Sequence, residues 1–166
     1  MRDLVTRRQP WPGWRRILVS GLGGAATIAV IALLSELTSP ALLAAAFGAS
    51  CVIVFTAPEA PLSQPVNVVG GHLVSAACGL AAASLLPAGW WSTGLAVGLA
   101  AAAMAALRVT HPPAGASPVA VALSGASWEY LLLPILFGSL LVVLAGVLVH
   151  RSTGTVYPVV STAERG

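Results

Sequence analysis

The chain has 166 residues, 57% of them hydrophobic and only 8% charged, with a formal net charge of +3. Soluble domains are roughly 25% charged, so this composition excludes a nucleic-acid-binding domain, a secreted disulfide scaffold and a disordered tail, and it argues against an enzyme with a polar shell. What remains is an all-α polytopic membrane protein: six spans of about 20 residues would leave roughly 46 positions for tails and loops, too few for a separate soluble domain.

All eight basic residues are arginine. Arg2, Arg7, Arg8, Arg15 and Arg16 precede the first apolar run, which predicts a basic cytoplasmic segment over 1–16 by the positive-inside rule. They favour anionic lipid head groups over nucleic acid as partners. Trp11 and Trp14 read as interfacial anchors. Arg7-Arg8 resembles a twin-arginine export signal. The apolar run after it is too long for one, no small-residue cleavage site closes it, and further spans follow. The location expected is therefore the inner (plasma) membrane, multi-pass.

The transmembrane domain is predicted over 17–150. A first span covers about 17–37 and ends at Thr38-Ser39-Pro40. A second covers about 41–57 and ends in the proline-rich 58–65. A third runs over about 66–86, and Pro87-Ala88-Gly89 turns the chain. Trp90 and Trp91 mark an interface, and a fourth span continues to 107, where Arg108 stops it. The last clear span, about 130–149, is entered past Trp128 and Tyr130 and closed by His150 and Arg151. A cytoplasmic tail is expected over 151–166.

Between the fourth and last spans lies Val109-Thr110-His111-Pro112-Pro113-Ala114-Gly115-Ala116-Ser117-Pro118, followed by a short apolar run. The apolar core, 114–124, reaches roughly 16 Å as a helix at about 1.5 Å per residue. That is about half of a 30 Å bilayer core, which predicts a broken or re-entrant half-helix. Backbone of that kind is tolerated at depth where protein or a wet cavity surrounds it. Counted as a segment it makes six, which puts Arg108, Arg151 and Arg165 on the cytoplasmic side with the N-terminus.

A repeat fits the same count. Thr38-Ser39-Pro40 followed by Gly48-Ala49-Ser50 resembles Thr110-His111-Pro112 followed by Gly115-Ala116-Ser117. Gly71 and Gly79 match Gly138 and Gly146 at equal separation. Three segments per half would make a 3+3 inverted repeat. A competing register pairs Thr56-Ala57-Pro58 with Thr110-His111-Pro112.

Three motifs could carry chemistry. At the first, Pro112 and Pro113 remove two backbone donors and open the chain at His111. The restarted helix would present N–H groups near 114–116, a dipole end suited to an anion. Gly115 would admit a ligand to the backbone and Ser117 would add a hydroxyl, with Thr110 and Arg108 alongside. A kinked loop whose His111 caps a carbonyl is the plainer reading. At the second, Asn67, Gly71, Ser75 and Gly79 recur every four residues, with His72 beside them. Helix-packing glue is the competing reading, especially for the glycines and Ser75. Asn67 and His72, as polar groups within a span, are candidates for binding. The third is Phe47-Gly48-Ala49-Ser50, the first-half counterpart of 114–117. Gly94 and Gly98 form a GxxxG pair, a feature of helix packing or self-association. Glu36, Glu59 and Glu129 fall at span ends. Cys51 and Cys78 fall inside apolar runs as small hydrophobes. Three separated histidines with no carboxylate at ligand spacing make a poor metal site, and no nucleophile set, Walker loop or dinucleotide fingerprint is present. No cofactor is expected, and the chain is not read as an enzyme.

Thr110-His111-Pro112-Pro113-Ala114-Gly115-Ala116 resembles the signature of the HPP family of integral membrane proteins. Phe47-Gly48-Ala49-Ser50 and Pro65-Val66-Asn67-Val68-Val69-Gly70-Gly71-His72 resemble its other blocks. The resemblance extends over about 17–151 and implies four or so membrane spans, fewer than the six segments read here. Some members are associated with nitrite transport. The reading that combines motifs and resemblance is a transporter or channel for a small inorganic anion, nitrite first, with Gly48, Ser50, Asn67, His72, Arg108, Thr110, His111, Gly115 and Ser117 as substrate-binding residues. A chain this small is expected to form a homo-oligomer. The alternatives are a proton-coupled carrier of another small solute and a non-transporting membrane scaffold.

Overall fold

The computed structural model describes residues 6, 9–38 and 44–159, and the described residues form helices and turns with no strand. Arg2, Arg7, Arg8, Arg165 and the Ser39-Pro40 break lie outside them. Six α-helices follow in order: α1 (Trp14–Thr38), α2 (Ala45–Thr56), α3 (Pro65–Leu85), α4 (Trp90–Ala106), α5 (Ser117–Ser124) and α6 (Phe137–Ser152). Among the described residues, three stretches are long and apolar enough to cross a membrane: Trp14–Leu37, Pro65–Leu85 and Trp128–Ser152. α2 and α4 are shorter apolar helices.

The surface is inverted relative to a soluble protein. Leu18, Leu22 and Leu33 on α1 and Leu140, Leu144 and Leu148 on α6 are exposed, while Ser50, His72, Ser75, His111, Ser139 and His150 are buried. Hydrocarbon outside and polar groups satisfied inside is the arrangement a bilayer demands. Trp11 and Trp14 at one end and Trp90, Trp91 and Trp128 at the other stand exposed, as aromatic belts do.

Chain ends and hydrogen bonds fix how the helices align. The Arg15 guanidinium donates to the Thr153 carbonyl at 2.6 Å, Arg16 pairs with Glu59 at 2.6 Å, and Asn67 Nδ2 donates to the Thr110 carbonyl at 3.0 Å. The starts of α1 and α3 therefore share one end of the bundle with the finishes of α2, α4 and α6. Arg15, Arg16, Arg108 and Arg151 all stand at that end. Glu36, Glu59 and Glu129 are exposed, in keeping with positions at the ends of apolar runs.

The last span is irregular at its entrance. The span expected over about 130–149 is present as the apolar stretch Trp128–Ser152; within it 128–136 forms short helical turns and the α-helix begins at Phe137. Pro134 lacks an N–H and disfavours helical backbone before it, and Leu133 is extended, at φ −129° and ψ 115°. The helix regains length at its other end, running to Ser152.

Two helices carry faces of small residues, and each receives a segment from elsewhere in the chain. On α3, a Cβ added at Gly71 would lie 2.7 Å from His111 Cβ and 2.8 Å from the Val109 carbonyl, and one at Gly79 would lie 2.7 Å from Pro118 Cα. Ser75 Oγ, between them, donates to the Ala114 carbonyl at 2.7 Å. On α6, Gly138 faces the Phe47 ring, and a Cβ at Gly146 would lie 2.7 Å from Val54 Cγ1. The broken segment thus lies along α3 in parallel, from the Asn67 level to a cleft where Gly125 and Leu123 meet Leu86 and Gly89. It runs on toward the far end of the bundle rather than turning back.

Candidate functional site

The proline pair acts as its chemistry requires. His111 is extended, at φ −137° and ψ 101°, then Pro112–Ala116 makes a tight turn and α5 starts at Ser117. The break holds His111 against α3, where Gly71 leaves room for it. α3 itself starts with Pro65 in its first turn, a position where a missing N–H costs nothing. His72, beside Gly71, faces the interior and is fully buried.

Ser50, from α2, is the hub. Its Oγ lies 2.8 Å from His72 Nε2 and 2.9 Å from His111 Nε2. All three residues have no exposed surface. The two imidazoles stand edge to face with centroids 5.2 Å apart, and the Phe47 ring packs on His72 at the same separation. His111 Nδ1 is 2.8 Å from the Leu62 carbonyl. A carbonyl only accepts, so Nδ1 carries the proton and a neutral His111 offers Nε2 as an acceptor. Ser50 O–H then donates to His111, and Ser50 Oγ accepts from His72 Nε2–H. The result is a directed chain, from His72 through Ser50 and His111 to the Leu62 carbonyl. Ser50 has one alternative acceptor, the Ala46 carbonyl at 3.1 Å.

His72 Nδ1, at one end of these hydrogen bonds, is buried and has no partner, and so is Ser117 Oγ on the α5 start. An unpaired buried polar group costs about 1–3 kcal/mol, so each marks a place where a bound group would be favourable. Among the described residues no group of histidines, cysteines and carboxylates could hold a metal ion.

Ser50, His72 and His111 meet, while Ser117 is buried on the α5 start and bonds to none of them. Asn67 and Thr110 bond to each other and support the His111 loop. Ser75, Gly71 and Gly79 serve the packing role that was their plainer reading. At Gly48 and Gly115 an added Cβ meets nothing within 4 Å, and Gly48 lines a groove on the outside of α1 and α2. Arg108 is exposed at the arginine end, with a left-handed φ of 58°. One expectation about backbone donors changes. Ala114 N–H is not free but donates to the His111 carbonyl at 2.9 Å, because the turn after the prolines closes on itself.

Sequence reasoning missed three contributors. Leu62 orients His111 through its carbonyl, which no side-chain pattern announces. Phe47 was quoted only as part of a small-residue motif. His150 was taken as a span terminator, yet it is 2% exposed, with Nε2–H donating to the Val54 carbonyl at 2.9 Å. Gly138, Val142, Gly146 and His150 recur every four residues and are all buried, a periodicity that could have revealed it.

An apolar helical bundle with inward polar groups, exposed leucines and aromatic belts defines an integral membrane protein. The transmembrane region of the HPP family matches residues 9–158. The chain belongs to that family. Two curated transmembrane proteins of Dictyostelium discoideum are similar to it: one is 35% identical over 121 residues, covering 66% of this chain and 38% of the relative, and the other is 32% identical over 122 residues, covering 66% and 41%. The chain thus aligns with about two fifths of the length of these relatives. No solved structure matches it.

Proposed function

We propose that the chain is a membrane transporter or channel for a small inorganic anion, with nitrite the first candidate on the family resemblance. The observation that carries the proposal is the buried Ser50–His72–His111 centre. It gathers polar groups from three segments inside an apolar bundle and leaves His72 Nδ1 without a partner; Ser117 Oγ, on the α5 start, is a further buried polar atom without one. Intramembrane polar groups are expensive and are kept where they act on a solute or a proton. Ser117 O–H can donate to an anion. His72 Nδ1 becomes a donor when it takes up a proton, so the centre would bind an anion together with a proton. Arg108, with the other arginines at the same end, would concentrate anions at the mouth.

The Ser50 hydroxyl favours a second reading, proton-coupled carriage of another solute. If His111 gains a proton, both histidines donate to Ser50 Oγ, and the hydroxyl turns to the Ala46 carbonyl. Ser50 is thereby a two-position relay. Proton-linked uptake that does not depend on the anion supplied would select this reading.

The reciprocal glycine contacts, α3 on the broken segment and α6 on α2, support six membrane segments in two inverted halves. The arginines at one end support a cytoplasmic placement of both termini in the inner membrane. A reporter fused after Gly166 that gave a periplasmic signal would contradict this topology. Gly94 and Gly98 are exposed on α4 and leave room for a second copy of the chain in a homo-oligomer.

The function is tested in proteoliposomes with nitrite, nitrate, formate and chloride, comparing the wild type with His111→Ala and Ser117→Ala. At least one anion should pass in the wild type, with reduced flux in both variants. Vesicles that pass none of the four would support the scaffold reading instead.

A further inference from the structure

A second polar site lies at the arginine end, away from the histidine centre. It is a cleft of about 630 Å³ between the start of α1 and the chain after α6, lined by Arg15, Arg16, Glu59, His150 and Thr153 among others. Glu59 pairs with Arg16, so Arg15 leaves the lining with a net positive charge. Among the described residues, Arg15 donates to the Thr153 carbonyl and Arg16 to Glu59. Each guanidinium has five N–H donors, so most of them are open to an oxyanion. His150 is 2% exposed, and its Nε2–H is spent on Val54, which leaves Nδ1 as a buried acceptor with no partner. Charged donors and an unpaired acceptor together fit a phosphate that carries a hydroxyl on its substituent.

A second cavity adjoins the first at Pro12 and Arg16. It is a groove of about 580 Å³ that follows α1 and α2 past Ile17, Gly21, Ala25 and Val52. An added Cβ at Gly21 or Gly48 meets nothing within 4 Å, so the missing side chains leave an open channel on the outer face. Exposed Trp11 and Trp14, paired edge to face at 5.5 Å, place the junction at head-group depth. A charged cleft at that depth, continuous with an apolar groove running down a membrane helix, matches an amphiphile and not a free ion.

We propose that these two cavities form a binding site for one anionic phospholipid, its phosphodiester held by Arg15 and Arg16, a head-group hydroxyl bonded to His150, and one acyl chain in the α1–α2 groove.

The test is native mass spectrometry of the full-length chain in mild detergent, titrated with phosphatidylglycerol, phosphatidylcholine or inorganic phosphate. One phosphatidylglycerol should be retained at least tenfold more strongly than phosphatidylcholine, and millimolar phosphate should not displace it. Arg15→Gln with Arg16→Gln should weaken retention at least tenfold. Gly21→Leu, which fills the groove and leaves the arginines in place, should weaken it as well. Equal retention of the two lipids would show that the arginines are not engaged and would overturn the proposal. So would full displacement by phosphate, which would make the cleft a free-anion site, or unchanged retention in both variants. The comparison of lipids on the wild type stands even if a variant fails to fold.

Discussion

Gly71→Ala probes the contact on which the histidine centre depends. An alanine Cβ would lie 2.7 Å from His111 Cβ and 2.8 Å from the Val109 carbonyl. Carbon atoms in favourable contact sit about 3.5–4.0 Å apart, so the 109–111 segment would have to retreat by roughly 0.8 Å. Neither neighbour is the far end of a flexible side chain, and the loop moves as a unit. The Ser50–His111 contact, now 2.9 Å, tolerates less displacement than this before it exceeds hydrogen-bond range, so it would weaken or break. Overpacking of this kind costs about 1–3 kcal/mol, and the lost hydrogen bond adds about 1 kcal/mol. Against this, alanine gains about 1 kcal/mol over glycine in a helix. The net expectation is destabilisation by about 1–3 kcal/mol. Gly21→Ala is the control: it has the same propensity gain and meets no neighbour within 4 Å, so it should stabilise. Both would be followed by denaturant unfolding in mild detergent, monitored by circular dichroism. If Gly71→Ala proved as stable as Gly21→Ala, the close approach of the loop to α3 would be refuted.

Other expectations follow from single groups. Arg108 holds a left-handed φ of 58°, which costs a side-chain-bearing residue about 1–2 kcal/mol; Arg108→Gly should raise stability by up to about 1 kcal/mol while lowering anion flux, and a variant with both unchanged would remove Arg108 from the mouth. Tyr157 is buried and donates to the Ser63 carbonyl at 2.9 Å, so Tyr157→Phe should cost about 1 kcal/mol, and no change on denaturant unfolding would count against that bond. Burial pushes the Tyr157 phenol up to about 12, so its contribution is complete below the ordinary tyrosine value near 10 and is lost as pH rises through about 12. A stability profile that falls well before pH 10 would need another cause. A backbone hydrogen bond, and then the Arg16 pairing, hold the Glu59 carboxyl below its ordinary range. Its contribution is present above that range and lost on acidification. Both partners are exposed, at 41% and 63%, so Glu59→Gln should cost less than about 1 kcal/mol and less still in high salt.

Much of the fold could be read from apolar runs and their punctuation. Pro65 starts α3, Gly89 and Trp90 open α4, and Pro112-Pro113 break the chain where the structure breaks it. The apolar run announced the last span but not the irregular turns at its entrance, where Leu133 is extended before Pro134. The four-residue spacing of Asn67, Gly71, Ser75 and Gly79 announced a packing face, but spacing on one helix cannot name the segment that docks there. The same limit applies to the site. His72 and His111 stood out as costly intramembrane groups, and Ser50 stood out through its repeat partner. That all three converge is a tertiary fact, and it depends on a backbone carbonyl at Leu62 with no sequence signature.

The most direct measurement is anion flux in proteoliposomes containing Ser50→Ala, whose loss leaves His111 Nε2 and His72 Nε2 without their shared partner. The account predicts that flux falls at least tenfold while the protein stays monodisperse and helical, and that Ser50→Thr, which keeps the hydroxyl, restores a measurable part of it. Flux equal to wild type in Ser50→Ala would contradict the assignment of this centre to transport.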